Sequence, residues 1–285
     1  MREDKTVKRT IKERIQGFRT KDGAGVSLVR VLANNTIDLF DPILLLDSFD
    51  STNPADYAAG FPLHPHRGIE TISLIAKGNM MHRDSLGNSD TITDGEVQWM
   101  TAGSGILHEE MLPASERMLG VQLWLNMPQK DKFASPEYKS LKKNEIEEIK
   151  IEGGILRLVS GQYQGYQGHQ SKYLPLDYYD IRLAPHQKLV IDTPEKKSIM
   201  VFTLLGDAQV AGELVREKTA VKLTEGDSLE IESLDDEIIL LFVSSDKLDE
   251  PVAWGGPIVM NTRAELETAF AELRSGTFLK EKIDY

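Results

Sequence analysis

The sequence predicts an all-β chain: two antiparallel β-barrels in tandem, ending in one helix. Three observations carry that expectation. Most segments are short apolar or alternating runs bounded by glycine and other turn residues. A pair of turns in the first half recurs in the second. One helical signature stands out, and it lies near the end of the chain.

The elements follow in order. "GVSLVRVLA" and "PILLLDSF" are the first strands, and "GIETISLIAKG" ends in a glycine turn. "GVQLWLNM" alternates, with Val121, Leu123, Leu125 and Met127 on one face and Gln122, Trp124 and Asn126 on the other. The polar stretch after Pro128 contains Pro136 and a mixed-charge run, so residues 131–149 read as a linker between domains 1–130 and 150–285. Strand patterns resume at "GGILRLVSG" and continue through "KSIMVFTLLG", "TAVKLTEGDSLEIES" and "DEIILLFVSS". Thr262 and Glu265 have capping-box spacing before "AELETAFAELR", and Gly276 stops that helix. In the repeat, "LIAKGNMM" aligns with "TLLGDAQV" through Gly78 and Gly206, and "TDGEVQWM" with "TEGDSLEI" through Gly95 and Gly226.

Composition removes several classes. Net charge is −12, which disfavours direct contact with a nucleic-acid backbone. There is no cysteine, so disulfides, thiolate metal sites and a cysteine nucleophile are excluded. The N-terminal stretch has no apolar core of a signal peptide, and no run of 18 apolar residues occurs, so the expectation is a cytoplasmic protein without a membrane anchor. No "GxSxG" elbow is present, and "TAGSG" lacks the residues of a phosphate loop and reads as a tight turn.

The chemistry-bearing residues sit at two-residue spacings. In "FPLHPHRGIE", His64 and His66 project to one side of a strand, because successive side chains alternate. Continuing the parity gives Gly68, Glu70, Ile72 and Leu74 on that same, inward face. Pro65 donates no ladder hydrogen bond, which suits a sheet edge or strand start. In "GILHEEM", His108 and Glu110 share a face and Glu109 points away. A single histidine reads as core or surface. An H-x-H strand beside an H-x-E strand reads as four metal ligands: His64, His66, His108 and Glu110. A buried carboxylate needs compensation, and a divalent cation supplies it. The repeat offers a control: the positions aligned with the four ligands are Asp192, Pro194, Ile239 and Leu241, so the second barrel lacks the set. Sulfur-free ligands fit Fe(II), with Mn, Ni, Co, Cu and Zn as alternatives. His82 reads as a solvated loop histidine, His169 and His186 have no assigned role, and Trp99 and Met100 read as core.

"FPLHPHRGIETIS" followed by "VQWMTAGSGILHEEM" resembles the pirin family of the cupin superfamily. "GFRTKDGAGVSLVRVL", "FDPILLLDSF", "GVQLWLNMP" and "EPVAWGGPIVMNT" extend the resemblance over most of the chain. The resemblance implies a bicupin: two antiparallel cupin barrels face to face, with one metal in the N-terminal barrel. Cupins usually take their glutamate ligand four residues after the second histidine, at Glu70; the pirin pattern instead uses Glu110. The implied activity is that of quercetin 2,3-dioxygenase, with a flavonol and O2 as substrates and Glu110 as the base that takes the flavonol hydroxyl proton. The rival implication is a non-enzymatic, iron-dependent regulator acting through a protein partner. The family pattern allows a monomer or a homodimer.

Overall fold

The structure, a computed structural model, describes residues 6–281. Its strands pair antiparallel throughout, and the chain forms two compact units. One gathers Phe18–Ile37, Ile43–Glu145 and Leu248–Tyr285; the other gathers Met1–Gly17, Asp38–Pro42 and Ile146–Lys247. The expected split at 130 and 150 is therefore not followed at either end of the chain, whose outermost residues, 1–5 and 282–285, lie outside the described ones. Ile11–Gln16 is an edge strand of the later unit, paired with Thr219–Leu223. The helix Arg263–Ser275 packs on the hairpin Ala253–Gly255/Ile258–Met260 of the earlier unit. The expected linker 131–149 is also corrected. Glu137–Leu141 extends one sheet beside Glu96–Thr101, and Glu147–Ile151 extends another beside Gly154–Ser160. Polar, charged composition there marks two exposed sheet edges, which charge protects from pairing with other chains.

In the earlier unit a seven-stranded sheet has Met118–Asn126 at its centre, between Ile69–Lys77 and Ile43–Ser51. A four-stranded sheet runs Phe61–His66, Ile106–Met111, Met80–Asp84, Ser89–Ile92. Phe49 and Ile75 from the large sheet pack against Met80 and Ile92 from the small one. These are stacked open sheets of cupin type rather than closed hydrogen-bonded barrels. The cause is visible at Arg67–Gly68, where one sheet ends and the other begins. Gly68 has φ +78°, and a Cβ there would stand 2.0 Å from the Val259 carbonyl oxygen, so only glycine can make the corner.

That corner overturns the parity carried from His64 to Leu74. Ser73, not Ile72 or Leu74, faces the small sheet, since its Oγ meets the amides of Gln98 and Gln122. Glu70 has the opposite parity to Ser73 and accepts from the Thr101 hydroxyl at 2.6 Å. It is on the far face of the sheet from the histidines.

The later unit repeats the plan. Its seven-stranded sheet has Ile238–Ser245 between Ser198–Leu205 and Leu176–Leu183, and its small sheet has Ser228–Ser233 between Lys188–Asp192 and Ala208–Val210. The repeat read from the sequence is real, but its second anchor was one strand out. Matching sheet positions pairs Ile106–Met111 with Ser228–Ser233, so Ile239 and Leu241 are not the counterparts of His108 and Glu110. In the matching strands the inner face carries Leu189, Ile191, Leu229 and Ile231, all in the apolar core. The second unit fills with hydrocarbon the place where the first gathers imidazoles.

The capping box is formed: Thr262 Oγ1 accepts from the Glu265 amide, and the Glu265 side chain accepts from the Thr262 amide. Gly276 closes the helix with φ +73°. Among the described residues, no helix is long and apolar enough to cross a membrane.

Candidate metal centre

The strand Phe61–His66 is the edge of the small sheet, as Pro65 predicts, and its neighbour is Ile106–Met111. The register sets His108 directly opposite His64. His64, His66 and His108 each offer a ring nitrogen, and the three nitrogens lie within 4.8 Å of one another. His66 and His108 are buried, and His64 is partly exposed.

The hydrogen bonds behind the rings decide what those nitrogens can do. His64 Nδ1 lies 2.8 Å from the Pro62 carbonyl oxygen. His66 Nδ1 lies 2.9 Å from the Pro257 carbonyl oxygen. A carbonyl only accepts, so each Nδ1 carries the proton and each Nε2 is a bare lone pair. Those lone pairs nevertheless face each other at 3.1 Å, and His108 Nε2 stands 3.0 Å from His64 Nε2. With nothing between them the arrangement is repulsive. Imidazole nitrogens bind a zinc-sized divalent ion at about 2.0–2.1 Å, so two at right angles are about 3 Å apart. The observed spacings match, and the donor set fits a divalent transition metal.

Electrostatics agree. Burial, reinforced by the adjacent His64 imidazole, pushes the His66 imidazole down to about 3. Burial and the neighbouring imidazoles hold His108 well below the ordinary histidine range. Both rings are therefore neutral at pH 7 and have no proton to release to an incoming metal. Calorimetric titration of the metal-free protein at pH 7, repeated in buffers of different ionisation enthalpy, should show release of no more than one proton per ion bound. Release of two or three would mean that the buried rings are protonated in the free protein.

Glu110 is the fourth residue of the expected ligand set. It is buried on the same strand face as His108, but it stands outside the three-imidazole group. The edge strand bulges beside it: His108 pairs with His64 and Glu110 with Phe61, so Phe61–His66 has an extra residue between those pairs. The carboxylate is held instead by Gln98 and Gln122. The Gln98 amide donates to Oε1, and the Gln122 amide donates to Oε1 at 3.0 Å and to Oε2 at 2.8 Å. Sequence reasoning missed both glutamines. The signal was available, since Gln122 and Trp124 share the polar face of an otherwise apolar strand, and that face is the inner one. His82 was misread as a loop residue: it lies on Met80–Asp84 and is 1% exposed. Trp99 and Met100 are core, as expected.

His64, His66 and Glu110 open onto a cavity of about 640 Å3. Leu45, Phe49, Phe61, Trp124 and Trp254 give it apolar walls. Trp124 meets His66 edge-on at 4.9 Å and lies 5.8 Å from Trp254. Arg30 and Asp47 add a charge-compensated pair, with Arg30 Nε donating to Asp47 at 2.9 Å. The size and the mixture of aromatic wall and few polar groups suit a small aromatic molecule.

The C-terminal segment completes this site. It supplies Pro257, which orients His66, and the Trp254 wall. The buried Arg67, next to His66 in the chain, anchors it: Nε donates to the Ser104 carbonyl at 2.6 Å, one terminal nitrogen donates to the Phe278 carbonyl at 2.8 Å, and the other pairs with Glu272 at 2.7 Å.

The family model described as Pirin matches residues 25–125, and that described as the Pirin C-terminal cupin domain matches residues 178–279. A pirin-like protein from Caulobacter vibrioides is 35% identical over 268 residues, covering 93% of this chain and 97% of its own. Pirin from Homo sapiens is 35% identical over 261 residues, covering 89% and 88%. The crystal structure of a quercetin 2,3-dioxygenase from Acinetobacter baumannii matches with TM-score 0.87 at 30% identity, over 95% of this chain and 98% of that one.

Proposed function

The chain belongs to the pirin family, and from that premise we propose that it is a metal-dependent dioxygenase that opens a flavonol such as quercetin with O2 and releases carbon monoxide. One observation carries the reading: three imidazole nitrogens converge beside a cavity whose walls are largely aromatic. His64, His66 and His108 would hold the metal, with Glu110 as a fourth ligand if its carboxylate turns from the glutamines. When bound, a metal such as Fe(II) supplies Lewis acidity and one-electron chemistry towards O2.

The chain's own groups do the rest. Trp124, Trp254 and Phe49 hold the flat flavonol and keep water from it. His64 and His66, which line the same cavity, would hold the ion beside the bound flavonol. Glu110 Oε2 takes the proton of the 3-hydroxyl, and Gln98 and Gln122 hold the carboxylate in line for that transfer. The resulting flavonolate is electron-rich enough to react with O2. Both oxygen atoms enter the ring-opened ester, and the carbon that bore the hydroxyl leaves as CO.

The test uses protein loaded separately with Fe(II), Mn(II), Co(II), Ni(II) and Cu(II), each verified at one ion per chain. Quercetin absorbance should fall in air, with one CO released per flavonol consumed. Absence of turnover with every metal would overturn the enzymatic reading and favour an iron-dependent regulator acting through a protein partner.

A further inference from the structure

Behind His108, on the side away from the cavity, three buried groups line up. His108 Nδ1 faces His82 Nδ1 at 3.4 Å. His82 Nε2 faces Asp84 Oδ2 at 2.8 Å. The His82 and Asp84 side chains are both fully buried. We propose that His82 and Asp84 are positioning residues for the metal centre, a hydrogen-bonded chain that fixes the tautomer of His108 and strengthens it as a ligand. This rests on the reading of the three imidazoles as metal ligands.

The proton positions are consistent along the whole chain. Asp84 only accepts, so His82 Nε2 carries a proton and donates it. With its single proton on Nε2, the His82 ring presents a bare Nδ1. A His108 that uses Nε2 towards a metal carries its proton on Nδ1, and that proton points at the bare His82 nitrogen. Each step therefore pairs one donor with one acceptor; reversing His82 would break both contacts, and reversing His108 would break the one between the rings. Burial alone would raise the Asp84 carboxyl, but hydrogen bonds from His82 and Asn88 outweigh it and hold it below the usual carboxylate range. Asp84 is also locked in position. Its Oδ1 accepts from the Leu86 amide at 2.9 Å and the Asn88 amide at 3.1 Å, and the Asn88 side chain donates to both oxygens. Tyr138 stacks on His82 at 4.0 Å with rings 14° apart, and its hydroxyl lies 3.3 Å from Asp90.

A merely structural histidine needs no such matched pair. The anionic end of the chain lies two hydrogen bonds from the ligand nitrogen, so negative charge is pushed towards the metal, as when a carboxylate backs a ligating histidine. The repeat makes the same point: the second unit has neither the imidazoles nor this support, and its inner face is apolar.

The experiment compares the full chain with His82→Phe, His82→Gln, Asp84→Asn and His108→Ala. Cobalt(II) affinity is read by competition with a chelator, together with the visible spectrum of the cobalt complex and the Fe(III)/Fe(II) midpoint potential. His82→Phe, which keeps a ring against Tyr138, should bind cobalt about 10- to 100-fold more weakly and shift the spectrum. His82→Gln, which keeps one acceptor and one donor, should recover most of the affinity. Asp84→Asn should raise the midpoint potential, because removing the anion destabilises Fe(III). The proposal is overturned if wild type binds one cobalt and His108→Ala loses it, yet His82→Phe and Asp84→Asn match wild type in affinity, spectrum and potential. If His82→Phe does not fold, Asp84→Asn alone decides through the potential. A wild type that binds no cobalt, iron or other transition ion sinks the metal reading itself, and this inference with it.

Discussion

A His108→Ala protein should purify with essentially no transition metal, bind added Fe(II) or Co(II) more than about 100-fold more weakly than wild type, and turn over no flavonol. His108 is the ring that ties the two strands of the site together. It faces His64 across the ladder, its Nε2 is 3.0 Å from that of His64, and its side chain is inaccessible to water. Two imidazoles on one edge strand remain after the substitution, and a chelate of two neutral nitrogens is weak. The fold should survive, because the strand keeps its backbone pairing and loses no buried charge. Elemental analysis and circular dichroism of the purified protein check both halves. A variant that retained one metal per chain would show that the ion sits elsewhere.

The second large effect is at Glu110. Glu110→Gln should keep its metal, held by the three histidines, and lose about 100- to 10,000-fold in flavonol turnover, the range a positioned base contributes. The geometry sharpens the prediction. Both carboxylate oxygens accept from side-chain amides, and a glutamine at 110 can offer only one oxygen to Gln98 and Gln122. Its own NH2 must then face an amide that also donates. The variant therefore loses the base and disturbs its support together, so metal content and rate are measured on the same sample. Full turnover with full metal ends the assignment of Glu110 as base. Loss of metal alongside activity would instead place Glu110 among the ligands.

The divergence between carboxylate and imidazoles shows how far a sequence carries. Alternation along one strand was enough to put His64 with His66 and His108 with Glu110, because parity is a local property of extended backbone. It failed wherever the chain left a strand. Parity could not pass the Gly68 corner, so Ile72 and Leu74 were assigned to the wrong face. The bulge at Pro62 and Leu63, opposite Glu109, shifts the pairing of the edge strand, and bulges have no reliable signature in residue type. The helix was legible because its capping box is four residues long, whereas its packing partner depends on contacts between distant segments. His82 looked like a loop histidine because "HRDSLGN" is polar; its burial comes from Tyr138, more than fifty positions away, and no local pattern contains that. The duplication was visible through turns, yet turns alone could not say which strand followed which.

The return of residues 248–285 to the earlier unit has a consequence for assembly in the cell. All three imidazoles have been synthesised by position 108, but the carbonyl that sets the His66 ring belongs to Pro257. While the ribosome is still translating the intervening residues, a nascent chain can present two strands bearing histidines with one ring free to rotate. On the proposed reading of the three imidazoles as ligands, the site would reach its final geometry only when that segment arrives, after the histidines themselves have been made.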